Sequence, residues 1–280
     1  MKLLGVALLD KNDLPILVRT YKEDLNIDDI SNMISVACTF LSKSSTESSR
    51  RAFMSIGGTS IYYFKTVKRG CIVIGEKVEQ DTLSKVAKVL VEIEIEKIET
   101  PLEEVMYAID RIVAATFGEE NFIKQFLGEE TLQEYRLVFV SDDYVSSLNF
   151  NIDDKLSREV RRLIKQSKKN ITSEKTSSGE DIVLVRLGSR KTLCLIGQKL
   201  DEKTREKIER LVNIFQIDAP SVLLTGQYKK MYDSVRASYE LLVDNGKDFM
   251  LYEIYNMLSQ GLTLKQIVKK MYREHYMETL

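Results

Sequence analysis

A single histidine, three cysteines, three prolines and no tryptophan are spread over 280 residues. Catalytic arrangements of the Ser/His/Asp or Cys/His kind need histidines that this chain does not have. Its one histidine, His275, stands beside Glu274 near the end of the sequence and reads as a solvated tail residue. Cys38, Cys71 and Cys194 lie too far apart for the paired spacing of metal ligands. Scattered thiols in odd number fit a reducing cytoplasm. No phosphate-loop motif is present: Gly57-Gly58-Thr59-Ser60 lacks both the lysine and the helix that such a loop requires. The paired carboxylates Asp28-Asp29 and Asp142-Asp143 read as a helix cap and a turn. With 41 basic and 42 acidic residues, the chain has no global field to recruit nucleic acid. No run approaches the ~18 apolar residues of a membrane span, so no transmembrane segment is expected. The opening MKLLGVALLDKND reads as a first β-strand and its turn, because its apolar stretch is short and lacks a small-residue cleavage site. These absences predict a protein that is not an enzyme and uses no cofactor or metal. What is abundant, Lys, Glu and Ile, suits a thermophile.

The chain repeats itself. LNIDD at 25–29 returns as FNIDD at 150–154. IGEKVEQDTLSKVAKVLVEIEI at 74–95 is matched by IGQKLDEKTREKIERLVNIFQI at 196–217. Within that pair Val86 aligns with Ile208, Val89 with Leu211, and Ile93 with Phe215. IETP at 98–101 is matched by IDAP at 217–220, and these two words hold two of the three prolines. Matches in one order, with small drifts in offset, indicate two copies of one unit.

Each copy parses alike. KLLGVALL and LPILVRTY flank the turn signal Asp10-Lys11-Asn12-Asp13, which predicts a hairpin. Asp28 or Asp29 then caps a helix whose apolar positions are Ile30, Met33, Ile34, Ala37 and Leu41. RAFMSI, SIYYFKTV and CIVIG follow, separated by Gly57-Gly58 and Lys68-Arg69-Gly70, as a three-stranded meander. A helix over 80–92 closes the unit, giving β-β-α-β-β-β-α. The second copy runs from YRLVFVSDD through a shortened second strand around 144–149 and a helix over 154–167. Strands around 170–175, DIVLVRL and TLCLIG come next, and a helix over 202–215 ends the copy.

This order, carried by GVALLDKNDLPILVRTY and SIYYFKTVKRGCIVIGEK, resembles the longin and roadblock group of small α/β domains. The resemblance covers 1–98 well and 135–217 less well, where the second hairpin is short. It implies α+β architecture, with a five-stranded antiparallel sheet in each copy flanked by helices. It also implies a non-catalytic platform that binds small GTPases, sorting signals or other longin domains.

Four segments result: a first domain at 1–98, a helical acidic connector at 99–134, a second domain at 135–218, and a C-terminal helical extension at 219–280. In the connector, Thr100 reads as a helix cap, Pro101 as the first helical residue and Glu103 as the partner of a capping box. Leu102, Val105, Met106, Ile109, Ile112 and Val113 form one apolar face, and Gly118 ends the helix. After the second domain, Tyr228, Met231, Tyr232, Val235, Tyr239 and Leu242 mark another amphipathic helix, followed by a helical pair.

Two helices stand out as partner-binding candidates. ISNMISVACTFLS at 30–42 contains no charge, although 30% of the chain is charged. Ser31, Ser35, Cys38 and Ser42 recur along it at helical spacing. A solvent-facing helix surface normally carries Lys and Glu. The stripe is therefore a docking face for the second copy, a second subunit or a partner, or else a serine-rich outer side. KLSREVRRLIKQSKKN at 155–170 is its opposite, with Arg158, Arg162, Lys165 and Lys169 among seven cations against Glu159. Such a face can bind an acidic protein, phosphate or an anionic membrane surface. Alternatively it is solvated, or it pairs with Glu119, Glu120, Glu129 and Glu130 of the connector. The tail SQGLTLKQIVKKMYREHYMETL opens like a helix-turn-helix, with Thr263 as a cap and Lys265, Lys269, Lys270 and Arg273 on the helix, but leaves little chain for a recognition helix.

The reading that follows is a cytoplasmic scaffold or regulator whose partner is a protein, of small-GTPase type on the resemblance, with self-association and peripheral membrane contact as further options. A nucleic-acid-associated regulator using the basic helix and the tail is the alternative.

Overall fold

The computed structural model describes residues 1–22, 32–37, 39, 50–142, 144–167, 169–242 and 246–277. They form two compact units. The first comprises Met1–Asn121 and Asp218–Leu280, and the second Phe122–Ile217. The architecture is α+β, with one five-stranded antiparallel sheet in each unit.

In the first unit, β1 (Lys2–Leu9) and β2 (Pro15–Thr20) form the expected hairpin. The Asp10 carboxylate accepts from the backbone N–H groups of Asn12 and Leu14, both at 2.8 Å, which shapes the turn. Helical residues 32–37 (α1) follow. β3 (Arg50–Ile56), β4 (Thr59–Lys65) and β5 (Gly70–Glu76) complete the sheet in the order β2-β1-β5-β4-β3. Gly57 and Gly58 join β3 to β4 with φ of 58° and 87°. A two-residue hairpin loop needs those angles, and glycine reaches them without strain.

β1 and β5 are buried on both faces, so helices must cover both. Ile34 and Ala37 of α1 pack with Leu4, Ala7, Leu9, Ile61, Tyr63, Ile72 and Ile74. On the other face α2 (Gln80–Leu90) lies against β4 and β5. α3 (Leu102–Phe117) packs against α2, and is joined by α7 (Ala219–Leu223) and α9 (Gly246–Ser259). α8 (Gly226–Leu242) and α10 (Leu264–Tyr272) complete this helical layer.

Several local expectations need correction. α3 begins at Leu102, with Pro101 extended at the cap and no side-chain cap from Thr100. Glu103 accepts from Tyr107 Oη at 2.8 Å instead of reaching back. Leu102 is 67% exposed, so water can serve the first-turn N–H groups and no capping box is needed. From Ala108 to Phe117 every residue of α3 is buried, so its apolar surface is far wider than one stripe. Leu242, assigned to the apolar face of α8, is 72% exposed; that face ends at Tyr239.

The second unit repeats the topology. β6 (Arg136–Ser141), β7 (Tyr144–Ser147), β8 (Ile171–Lys175), β9 (Asp181–Gly188) and β10 (Lys191–Gly197) run in the order β7-β6-β10-β9-β8. This is the order of the first sheet, strand for strand. β7 is the shortened strand expected, at four residues. α5 (Asp154–Gln166) packs on the sheet through Val160 and Leu163, with Leu156 and Ile164 at the margin. α6 (Glu202–Gln216) lies against β9. α4 (Glu119–Glu134) leads into the unit and breaks at Gly128, whose φ of 83° and ψ of 167° are not helical.

Candidate functional site

α5 owes its position to a cap, an apolar stripe and an anchored end. Asp153 caps it, its carboxylate accepting from Leu156 N at 2.7 Å. This is the second Asn-Ile-Asp-Asp word acting as a helix start; Asp28 and Asp29 of the first lie outside the described residues. At the C-terminal end, Arg186 of β9 donates to the carbonyls of Ile164 and Ser167. Ser167 and Thr172 hydroxyls share a hydrogen bond of 2.7 Å. A helix held at both ends presents its outer face as a fixed surface.

That face is basic. Lys155, Arg158, Arg162 and Lys165 are exposed on α5, and Lys169 is exposed just beyond its end. Arg158, Arg162 and Lys165 share one side by their spacing. Glu159 offers little neutralisation. It accepts from the Ser177 backbone N–H at 2.5 Å and from Ser177 Oγ at 3.0 Å, and its contact with the 62%-exposed Arg162 is 3.8 Å long. Arg158, Lys165 and Lys169 have no ion-pair partner among the described residues. Two connector acids are engaged elsewhere: Glu119 with Arg111 at 3.0 Å and Glu130 with Lys203 at 2.6 Å.

The uncharged helix is described only in part. Ser31, Cys38 and Ser42 lie outside the described residues. Ser35 is exposed, with Asn32, Val36 and Thr39 exposed beside it, while Ile34 and Ala37 face the core. The described portion of α1 therefore shows solvent an uncharged surface.

In the tail, Thr263 caps α10 and forms a full capping box with Gln266. Lys265 is turned inward, 3.3 Å from Glu92 and 3.8 Å from Glu94. Lys270 lies 3.9 Å from Glu274, and Lys269 and Arg273 are exposed. His275 is not a solvated residue. Its Nε2 lies 2.9 Å from Tyr239 Oη, and the two rings meet edge to face at 4.9 Å. Tyr239 donates onward to Glu253 at 3.0 Å. A buried aromatic hydroxyl seeks a partner, and this one draws the tail against α8 and α9.

Sequence reasoning missed a buried charge network. Asp110 of α3 is fully buried and accepts from Arg19 Nε at 3.0 Å, Arg19 Nη2 at 2.6 Å and Tyr21 Oη at 2.9 Å. Burial pushes the Asp110 carboxyl upward, against the pull of Arg19. Nothing in the spacing of β2 or α3 marks these partners, which are 91 residues apart. Cys71 and Cys194 are buried thiols held well above their ordinary pKa by desolvation, the condition of an unreactive cysteine.

Among the described residues, no group of three or more His, Cys, Asp or Glu side chains is placed to hold a metal ion. No helix among them is long and apolar enough to cross a membrane. No protein-family model matches the chain, and comparison with curated proteins finds no match.

Proposed function

We propose that this protein is a non-catalytic cytoplasmic scaffold or regulator that binds an acidic protein partner of small-GTPase type, with the basic face of α5 as its principal contact. The single observation that carries the reading is the combination of fixed position and unspent charge on that helix. Arg158 and Lys165, on a helix locked at both ends, and Lys169 just beyond it stand exposed without acidic partners among the described residues. Preorganised charge steers an oppositely charged partner and speeds its encounter. The GTPase class comes from the element order β-β-α-β-β-β-α, present in both units, which resembles longin and roadblock platforms. Regulation in such a platform works by binding one conformation of the partner more tightly than another.

The test uses the full chain and the triple variant Arg158→Glu, Arg162→Glu, Lys165→Glu. Purified small GTPases from the same cytosol, loaded with GDP or with a non-hydrolysable GTP analogue, are titrated onto each. Binding should depend on nucleotide, weaken with salt, and collapse in the variant. Equal binding to the variant would remove α5 from the interface. Salt-sensitive binding to duplex DNA, with no GTPase binding, would favour a nucleic-acid-associated regulator instead.

A further inference from the structure

Beyond the α5 face, the first unit holds a groove of about 440 Å³ where the edge strand β3 overhangs the start of α2. That volume lies in the range of small-molecule sites. Arg51 and Phe53 of β3, Tyr62 of β4 and Gln80, Asp81 and Ser84 of α2 line it.

Four features of its lining favour an anion. Arg51 has no carboxylate partner among the described residues, and its guanidinium sits 5.6 Å from the centre of the Phe64 ring. An aromatic face positions a guanidinium without neutralising it. The N-terminus of α2 opens among these residues, and its cap residue Glu79 makes no side-chain cap. The first helical hydrogen bond is Leu83 N to Glu79 O, so the N–H groups of Gln80, Asp81 and Thr82 keep their donor capacity. Tyr62 and Ser84 are both more than nine-tenths buried, and their hydroxyls meet at 3.2 Å with no other partner among the described residues. Two hydroxyls carry two protons, and one bond between them uses one. The pair can therefore offer one O–H to a ligand in the groove. Finally, the one carboxylate in the lining is already paired: Asp81 is mostly exposed and lies 2.9 Å from Lys85. The remaining wall is apolar, with the Phe53 ring partly exposed and Tyr62 behind it.

We infer that this groove binds a small phosphate monoester carrying a planar apolar group. The guanidinium of Arg51, the α2 N-terminus and the spare Tyr62/Ser84 hydroxyl hold the phosphate, and Phe53 packs on the plane. Forked guanidinium donors and a helix N-terminus are complementary to phosphate oxygens.

The experiment titrates the full chain with phenyl phosphate, inorganic phosphate and phenol, followed by calorimetry and by amide NMR shifts of Gln80, Asp81 and Thr82. Phenyl phosphate should bind with one-to-one saturation and move those three amides. Inorganic phosphate should bind more weakly at the same amides, and phenol should not bind. Arg51→Gln should weaken phenyl phosphate by about tenfold or more, since a charge-assisted contact is lost. Arg51→Lys should recover part of that loss, and Tyr62→Phe should weaken binding several-fold in a protein that remains folded. Absence of saturable binding, an unaltered affinity in Arg51→Gln, or phenol binding as tightly as phenyl phosphate would each overturn the assignment.

Discussion

Gly75, the last residue but one of β5, stands where a side chain has no room: an added Cβ would lie 2.6 Å from Val78 Cγ2 and 2.9 Å from Val78 Cβ. Val78 is itself buried, so it cannot swing aside. Gly75→Ala should therefore lower stability by about 1–3 kcal/mol through overpacking, read as a shift in denaturant midpoint. Gly188→Ala, which would meet nothing within 4 Å and has no left-handed φ, should be tolerated. Gly197 is the repeat partner of Gly75 and has a different reason to be glycine, with φ of 156° and the Glu134 carbonyl 3.1 Å from a would-be Cβ. The other matched residues were legible for a common cause: Val86 and Ile208, Val89 and Leu211, and Ile93 and Phe215 are all buried. Glu94 was not legible, because its partners other than Lys97 are distant in sequence. It accepts from Thr225 at 3.0 Å and pairs with Lys97 at 3.1 Å, Lys68 at 3.6 Å and Lys265 at 3.8 Å. Burial alone would raise its carboxyl, but the surrounding donors win and hold it down to about 2. A depressed folded pKa stabilises above the unfolded value near 4.5, and that contribution is lost as pH falls through about 2. Glu94→Gln should accordingly remove about 1–2 kcal/mol at neutral pH and flatten acid unfolding between pH 4.5 and 2. An unchanged acid limb would show that the cluster is solvent-screened.

Among the elements, α5 and α3 show what period and composition can and cannot reveal. The apolar stripe of α5 is narrow, running through Leu156, Val160, Leu163 and Ile164, and its buried core contacts are Val160 and Leu163. Its outer charges are expendable for folding. The triple reversal Arg158→Glu, Arg162→Glu, Lys165→Glu should change thermal stability little, since exposed ion pairs contribute about 0–1 kcal/mol each. Partner binding should lose most of its salt dependence, because screening acts on those charges within about 10 Å at 0.1 M salt. Unfolding of the variant would mean that the cations serve an internal network. α3 is the opposite case. It is covered along its C-terminal two-thirds by α2, α7 and α9, and a helix buried all round has no single stripe to read. That burial also explains why Asp110 and Arg111 need Arg19, Tyr21 and Glu119 as partners. An unpaired charge there would be prohibitively costly.

At the scale of the whole molecule, the doubled words in the sequence correspond to a doubled topology, β2-β1-β5-β4-β3 and β7-β6-β10-β9-β8. The order of elements along the chain was recoverable because hairpin turns and β-branched runs are local signals; the order of strands within each sheet was not read. The helices 219–280 belong with Met1–Asn121 in the first unit, and that could not be read. Such grouping depends on contacts like Thr225–Glu94 that join residues 131 positions apart. The groove at β3 and α2 was hidden for the same reason: Arg51, Tyr62 and Ser84 come together only when the sheet is built. On the function proposed here, two sheets of one topology, with a basic helix on the second, make a platform whose output is a partner held in one state. The most direct measurement is the dissociation constant of the full chain for a small GTPase from the same cells, in GDP and GTP-analogue forms, beside the α5 triple variant. A nucleotide-dependent affinity that disappears in the variant is the predicted result. Affinity that is the same for both nucleotides and for both proteins, or no binding to any such GTPase, would contradict it.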